Sequence, residues 1–250
     1  ALGTSEAGRV KPVVPAFVRF GSWVGGDRDG NPFVTAQVTR EAMAIHADHV
    51  LRGLQTACER IARTLTMDET STPPSAWLLE SLANDAVVSP ARYREIAKSS
   101  PGEPYRQKLM LIATRVAATR QGDLEMAYGS PDDMLAELRK VQESLAEAGA
   151  LRAAYGELQN LVWQVETFGF HLVELEVRQH SDVHRTALAE LLAQVPGIDD
   201  PQAAATDAAL LDRFAVEGWP VPVVPSTERT REVLDTLRVM AWLQERWGPA

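Results

Sequence analysis

Two stretches of this sequence are equipped for chemistry. In His171–Gln179 (HLVELEVRQ) hydrophobicity alternates with period two, so Leu172, Glu174, Glu176 and Arg178 share one face and Val173, Leu175 and Val177 the other. Arg178 ends that polar face with a planar donor fork, whose geometry suits a carboxylate or a phosphate. A plainer reading stands beside it, in which Glu174 or Glu176 simply neutralises Arg178. The second stretch is the run Gly25, Gly26, Asp27, Arg28, Asp29, Gly30, Asn31, Pro32, which follows Trp23. It fails as a calcium loop, because Pro32 stands at the sixth position and Val38 at the twelfth, and no Gly-Lys-Ser/Thr makes it a nucleotide loop. On composition it reads equally as a structural turn and as backbone held close to a ligand. Trp23 reads as core or as the apolar wall of a pocket.

The remaining reactive side chains carry less. His46 and His49 are three apart on one predicted helix, a metal-compatible spacing without a third ligand beside it, and are read as a surface pair. His180 and His184 directly follow the Arg178 stretch, as capping or surface residues that could flank a site, while Gln179 points to the face opposite Arg178. Cys58 reads as a buried, inert thiol. No metal site is assigned.

These groups need elements to position them. Ala16–Trp23 (AFVRFGSW) is predicted as a short strand feeding the glycine-rich loop, with Phe17 and Arg19 on one face and Val18 and Phe20 on the other. Thr39 is predicted to cap a long helix reaching about Leu65. Further helices are predicted over 75–84, 90–97, 103–120, 131–147 and 151–167. Ser130 before Pro131 gives an N-cap followed by proline at the first helical position, and Gly169 closes the last run. The strand at 171–179 comes next, then helices over 182–195, 207–217 and 228–246, with a proline-rich connector at 220–225. Two strands among so many helices cannot form a sheet of ordinary size. The fold class is therefore predominantly α-helical, a segment of an α/β barrel or sheet whose other strands lie elsewhere, with helices packed around it. The whole of 1–250 reads as a single partial domain. Ala1 in place of Met, and a helical pattern that runs to Arg246 and Trp247 just before the chain stops, give the expectation of a piece cut from a longer protein.

Composition removes several classes. The 250 residues are 45% hydrophobic and 24% charged, so a sizeable core is available and disorder is excluded. Lys plus Arg number 25 against 34 for Asp plus Glu, a formal charge of −9, which argues against nucleic acid or an anionic membrane as a partner. One cysteine forbids an internal disulfide, and no apolar run reaches the roughly 18 residues of a membrane span. The reading is a soluble, cytoplasmic protein.

Phe20-Gly21-Ser22-Trp23 through Phe33-Val34-Thr35 resembles a signature of the phosphoenolpyruvate carboxylases, as do Phe168-Gly169-Phe170-His171-Leu172 and Glu176-Val177-Arg178-Gln179-His180-Ser181. Glu103–Leu109 (EPYRQKL) and the helix around Thr230–Val239 are similar to that family in the same order, so the resemblance runs along essentially the whole chain. It implies an interior segment of a much longer enzyme, an eight-stranded TIM-like barrel buried among helices and assembled as a homotetramer. That enzyme converts phosphoenolpyruvate and bicarbonate to oxaloacetate and phosphate with Mg or Mn, by way of carboxyphosphate and an enolate. For the residues, the resemblance implies that Arg178 contacts the substrate's phosphate, Trp23 lines the apolar pocket beside it, and Gly25 to Pro32 form the adjoining loop. Asp27, Arg28 and Asp29 would hold the loop's shape, and Gln179 and His180 would be secondary. Glu176 and His180 depart from the commoner Asp and Glu of the family. The family's catalytic His motif, metal carboxylates, catalytic Lys and Gly-Arg-Gly-Gly loop are not found in these residues, which implies inactivity of the piece alone. The rival reading is a non-catalytic helical regulatory or scaffolding module that binds an acidic metabolite or a protein partner.

Overall fold

The computed structural model describes residues 8–248. The chain is predominantly helical, with eleven helices and two very short strands among the described residues. It divides into two compact units.

One unit comprises Ala1–Phe20, Ile45–Val173 and Arg246–Ala250. Its core is built by α2 (Ala76–Val88), α3 (Pro90–Ser99), α4 (Pro104–Gln121), α5 (Pro131–Glu147), α6 (Leu151–Tyr155) and α7 (Glu157–Phe168), together with the greater part of α1 (Ala36–Ala62). Leu51, Leu54 and Ile61 of α1, Leu109 and Ile112 of α4, Met134 and Leu138 of α5, and Leu158 and Leu161 of α7 are buried. Local signals set these ends. The Ser130 hydroxyl accepts the Asp133 N–H and Pro131 opens α5, while the Ser75 hydroxyl accepts the Leu78 N–H to open α2. The single helix expected over 151–167 is two, broken at Gly156, whose ψ of −116° lies outside the helical range. A side chain there would meet the Arg152 carbonyl at 2.5 Å, so glycine permits the break.

This unit also holds a buried charge network. Lys108 on α4 is fully buried and pairs with Asp85 at 2.6 Å and with Glu137, which also pairs with Arg115 at 3.0 Å and accepts the Tyr128 hydroxyl. The Arg115 guanidinium lies 3.9 Å from the centre of the Tyr128 ring. Burial pushes the Asp85 carboxyl above its usual range in spite of Lys108.

The other unit comprises Gly21–Ala44 and Glu174–Glu245. It contains β1 (Gly21–Ser22), β2 (Glu174–Leu175), the start of α1, α8 (Ser181–Leu192), α9 (Pro201–Ala204), α10 (Ala208–Glu217) and nearly all of α11 (Glu228–Trp247). β1 and β2 run parallel, with Gly21 opposite Glu174 and Ser22 opposite Leu175. Both strands are far shorter than predicted. Residues 16–20 have no ladder partner, and Phe17, Val18 and Phe20 are exposed. At the start of the second stretch the chain turns: Leu172 has φ +70° and donates its N–H to the Phe168 carbonyl, so the alternation at 171–173 does not continue into a strand. The alternation survives as exposure, with Glu174, Glu176 and Arg178 outward and Leu175 and Val177 half-buried.

Thr39 does not cap α1. Thr35 does, its hydroxyl accepting the Val38 N–H at 3.3 Å, and Thr39 is buried within the helix. The entry to α11 is held by Glu190 of α8, whose carboxylate accepts the backbone N–H groups of Ser226 and Thr227 and the hydroxyls of Ser226, Thr227 and Thr230 at 2.5–3.0 Å. Those bonds hold the Glu190 carboxyl well below the usual glutamate range. A group depressed in this way adds stability above its unfolded value and loses it as pH falls through the folded one. Glu190→Gln is therefore expected to cost about 1 kcal/mol at neutral pH, the size of a lost helix cap. The difference from the parent chain should shrink as pH is lowered through the ordinary glutamate range, which urea unfolding across a pH series measures.

Candidate functional site

The predicted site residues fall within the second unit, around the parallel strand pair. Beyond β1 the chain turns at Trp23, whose carbonyl accepts the N–H groups of Gly26 and Asp27. The ladder then resumes as an isolated bridge between Asp27 and Arg178. The Arg28 N–H donates to the Arg178 carbonyl at 3.0 Å and the Arg178 N–H to the Gly26 carbonyl at 2.9 Å, so the loop and the arginine share main-chain bonds in both directions. Glycine is required at the turn. A Cβ on Gly26 would lie 2.4 Å from the Glu176 carbonyl oxygen, and Gly25 has φ +86° with Ala42 Cβ 2.6 Å from the equivalent position.

Arg28 has a structural place in this arrangement. Its guanidinium is buried, donates to the Gly26 carbonyl at 3.1 Å and to the Thr39 hydroxyl at 2.5 Å, and Thr39 in turn donates to the Gly25 carbonyl at 2.6 Å. Burial lowers the pKa of Arg28 while Glu232 acts against that. Two short Asx turns complete the loop: Asp27 accepts the Asp29 N–H and Asn31 accepts the Phe33 N–H. Thr39 and Glu232 carry parts of this frame that the sequence reading missed. Thr39 resembled a helix cap, and Glu232, which accepts the Ala36 N–H, is distant in sequence from the loop.

The outward face brings Trp23 and Arg178 together. The Arg178 guanidinium sits 5.8 Å from the centre of the Trp23 ring, and 61% of Trp23 is exposed, which places its indole outside any core of the described residues. The ambiguity over a counter-ion resolves to Glu176, whose carboxylate accepts from Arg178 Nη2 at 2.8 Å. This hydrogen bond, with the charges of Glu176, Asp27 and Asp29, raises the pKa of Arg178 and keeps it cationic.

Gln179 and His180 lie apart from that pair. Together with Asp29, Asn31 and Glu232 they border a cleft of about 1030 Å³ within the same unit, which neither Arg178 nor Trp23 lines. His180 caps α8 by accepting the Asp182 N–H on Nδ1 at 3.2 Å. Among the described residues no three His, Cys, Asp or Glu side chains come together in a way that would hold a metal ion, and no helix is long and apolar enough to cross a membrane. Cys58 is buried, and burial pushes its thiol pKa up.

What this arrangement can do is grip an anion. A cationic, solvent-reachable fork stands beside an indole wall, on a backbone fixed by a buried arginine and two glycines. Residues 3–250 match the family Phosphoenolpyruvate carboxylase. The chain is 34% identical over 254 residues to the phosphoenolpyruvate carboxylase of Roseiflexus castenholzii, covering 94% of this chain and 27% of that protein. For Thermosynechococcus vestitus the identity is 32%, covering 96% of this chain and 26% of the relative, and for Azorhizobium caulinodans it is 33%, covering 99% and 28%. The chain thus spans about a quarter of the length of these curated relatives. With the motifs around Trp23 and Arg178 carried on one parallel strand pair and a match that runs from residue 3 to residue 250, this chain belongs to the phosphoenolpyruvate carboxylase family.

Proposed function

We propose that the chain is an interior segment of a phosphoenolpyruvate carboxylase and supplies part of the substrate site for making oxaloacetate and phosphate from phosphoenolpyruvate and bicarbonate. The observation that carries this reading is the placement of Arg178 and Trp23 side by side, on the outward face beyond the paired strands. The Arg178 fork binds the phosphate end of the substrate and stabilises the charge that develops as the phosphoryl group moves. Trp23 gives the neighbouring space an apolar wall that disfavours water, and the loop from Gly25 to Pro32 holds both in register with the buried Arg28–Thr39 clamp behind it.

Under this reading β1 and β2 are strands of an eight-stranded barrel, and 1–250 is one partial domain of it. Their parallel pairing supports the reading, as does the exposure of Phe17, Phe20, Trp23 and Phe33. A Mg or Mn ion, when bound by residues outside 1–250, would supply charge neutralisation at the phosphate. The proton-transfer groups come from there too. The segment alone is inactive, and the full protein works as a cytoplasmic homotetramer.

Full-length protein given phosphoenolpyruvate, bicarbonate and Mg should form oxaloacetate, read by coupled reduction with malate dehydrogenase, and the 250-residue piece should form none. A full-length protein that forms no oxaloacetate with Mg or Mn refutes the enzyme reading and favours the metabolite-binding module.

A further inference from the structure

We propose that Glu176 is a built-in competitor for the fork of Arg178, a counter-ion whose like charge the incoming anion meets beside the guanidinium, and so a residue that sets affinity for the substrate. The inference rests on the proposed role of Arg178 as the phosphate contact. Glu176 and Arg178 stand two positions apart on the outward face, with Glu176 Oε2 2.8 Å from Arg178 Nη2. Both side chains are about half exposed, at 57% and 50%. The Glu174 carboxylate shares that face but makes no ion pair with Arg178; Asp27 and Asp29 act on Arg178 through their charges, and Glu176 is the carboxylate hydrogen-bonded to it.

The chemistry follows from the donor count. A guanidinium carries five N–H donors and binds a phosphate through two parallel ones, and one N–H on Nη2 is engaged by Glu176. A phosphate that takes the edge of the fork holding that N–H breaks the bond, and one that takes the remaining N–H groups still sits close to a carboxylate of its own sign. An exposed pair of this kind is weak enough to be displaced, yet strong enough to lower anion affinity by a measurable factor. Glu176 is therefore a positioning residue: it pre-aims the arginine over the Trp23 ring, 5.8 Å from its centre, at the expense of affinity.

The test is a double-mutant cycle in the full-length enzyme with Glu176→Gln, Arg178→Ala and their combination, reading KM for phosphoenolpyruvate and the inhibition constant of inorganic phosphate. Glu176→Gln, which keeps an acceptor but removes the charge, should lower both constants by about 2–5-fold. Glu176→Asp, which keeps the charge, should stay within about 2-fold of the parent. In the Arg178→Ala background Glu176→Gln should change neither constant. Constants that stay level or rise in Glu176→Gln, a change confined to kcat, or the same fall in the Arg178→Ala background each overturn the competitor role while leaving Arg178 as a ligand. If Arg178→Ala itself leaves KM and kcat/KM at parental values, the reading of Arg178 fails, and the competitor role with it.

Discussion

On the proposed role of Arg178 as the phosphate contact, its replacement by alanine in the full-length protein is expected to lower kcat/KM for phosphoenolpyruvate by about 10²–10³-fold, the usual effect of deleting one preorganised donor aimed at developing charge. The loss should be one of function and not of folding. The side chain is half exposed, its hydrogen-bond partner is Glu176, and its contact with the Trp23 ring is at 5.8 Å, so the melting midpoint should move little. Arg178→Lys separates charge from geometry. The ammonium keeps the charge without the planar fork, and an activity between parent and alanine variant is expected. Steady-state kinetics alongside thermal unfolding measure both parts, and parental kinetics in Arg178→Ala would remove the arginine from the site.

The largest effect on stability is expected at the opposite kind of charge. Lys108 is fully buried and is bonded to both Asp85 and Glu137, so Lys108→Met leaves two carboxylates in a low-dielectric core without their shared cation. Breaking a buried pair in this way costs about 3–5 kcal/mol. Arg115 and Tyr128 still hold Glu137, which leaves Asp85 as the group most exposed to the loss. Burial already raises the Asp85 carboxyl, and removing Lys108 raises it further. A carboxyl whose folded pKa lies above its unfolded one binds more protons in the folded state, so folding gains as pH drops. The penalty of Lys108→Met should accordingly be largest at neutral pH and shrink in mild acid, where Asp85 becomes a neutral acid. Denaturant unfolding of the two proteins across pH decides this, and a penalty that does not vary with pH would mean that Asp85 is not the group left uncompensated.

What could be read from the residues divides along the range of the forces involved. Helix ends that depend on neighbours within a turn were readable: Ser130 with Pro131 places α5 at 131–147, as found, and Gly169, with φ +51°, ends α7. The strands were overextended because alternation reports which face meets water, whereas a ladder needs a partner. Residues 174–178 keep the alternation and pair at Glu174–Leu175, through the Glu176 N–H on the Ser22 carbonyl and again at the Arg178 bridge, whereas residues 16–20 and 171–173 have no ladder partner. Thr39 was misread for a related reason. Its hydroxyl is committed to the Gly25 carbonyl and to Arg28, contacts that no local pattern announces. Residue type marks Arg178 and the glycine-aspartate loop as candidates without deciding between a site and a structural turn. Which glutamate pairs with Arg178 depended on side-chain reach.

The reciprocal main-chain bonds between the loop and Arg178 make the two a single mechanical part. A displacement of Gly26 is carried to Arg178 through the N–H that its carbonyl accepts, and a displacement of Arg178 is carried back through the amide of Arg28. On the proposed role of Arg178, ligand affinity is thereby exposed to substitutions that never meet the ligand. The interior of this loop, where a methyl group on Gly26 would press on the Glu176 carbonyl, thus sets the position of the Arg178 backbone and with it that of the guanidinium.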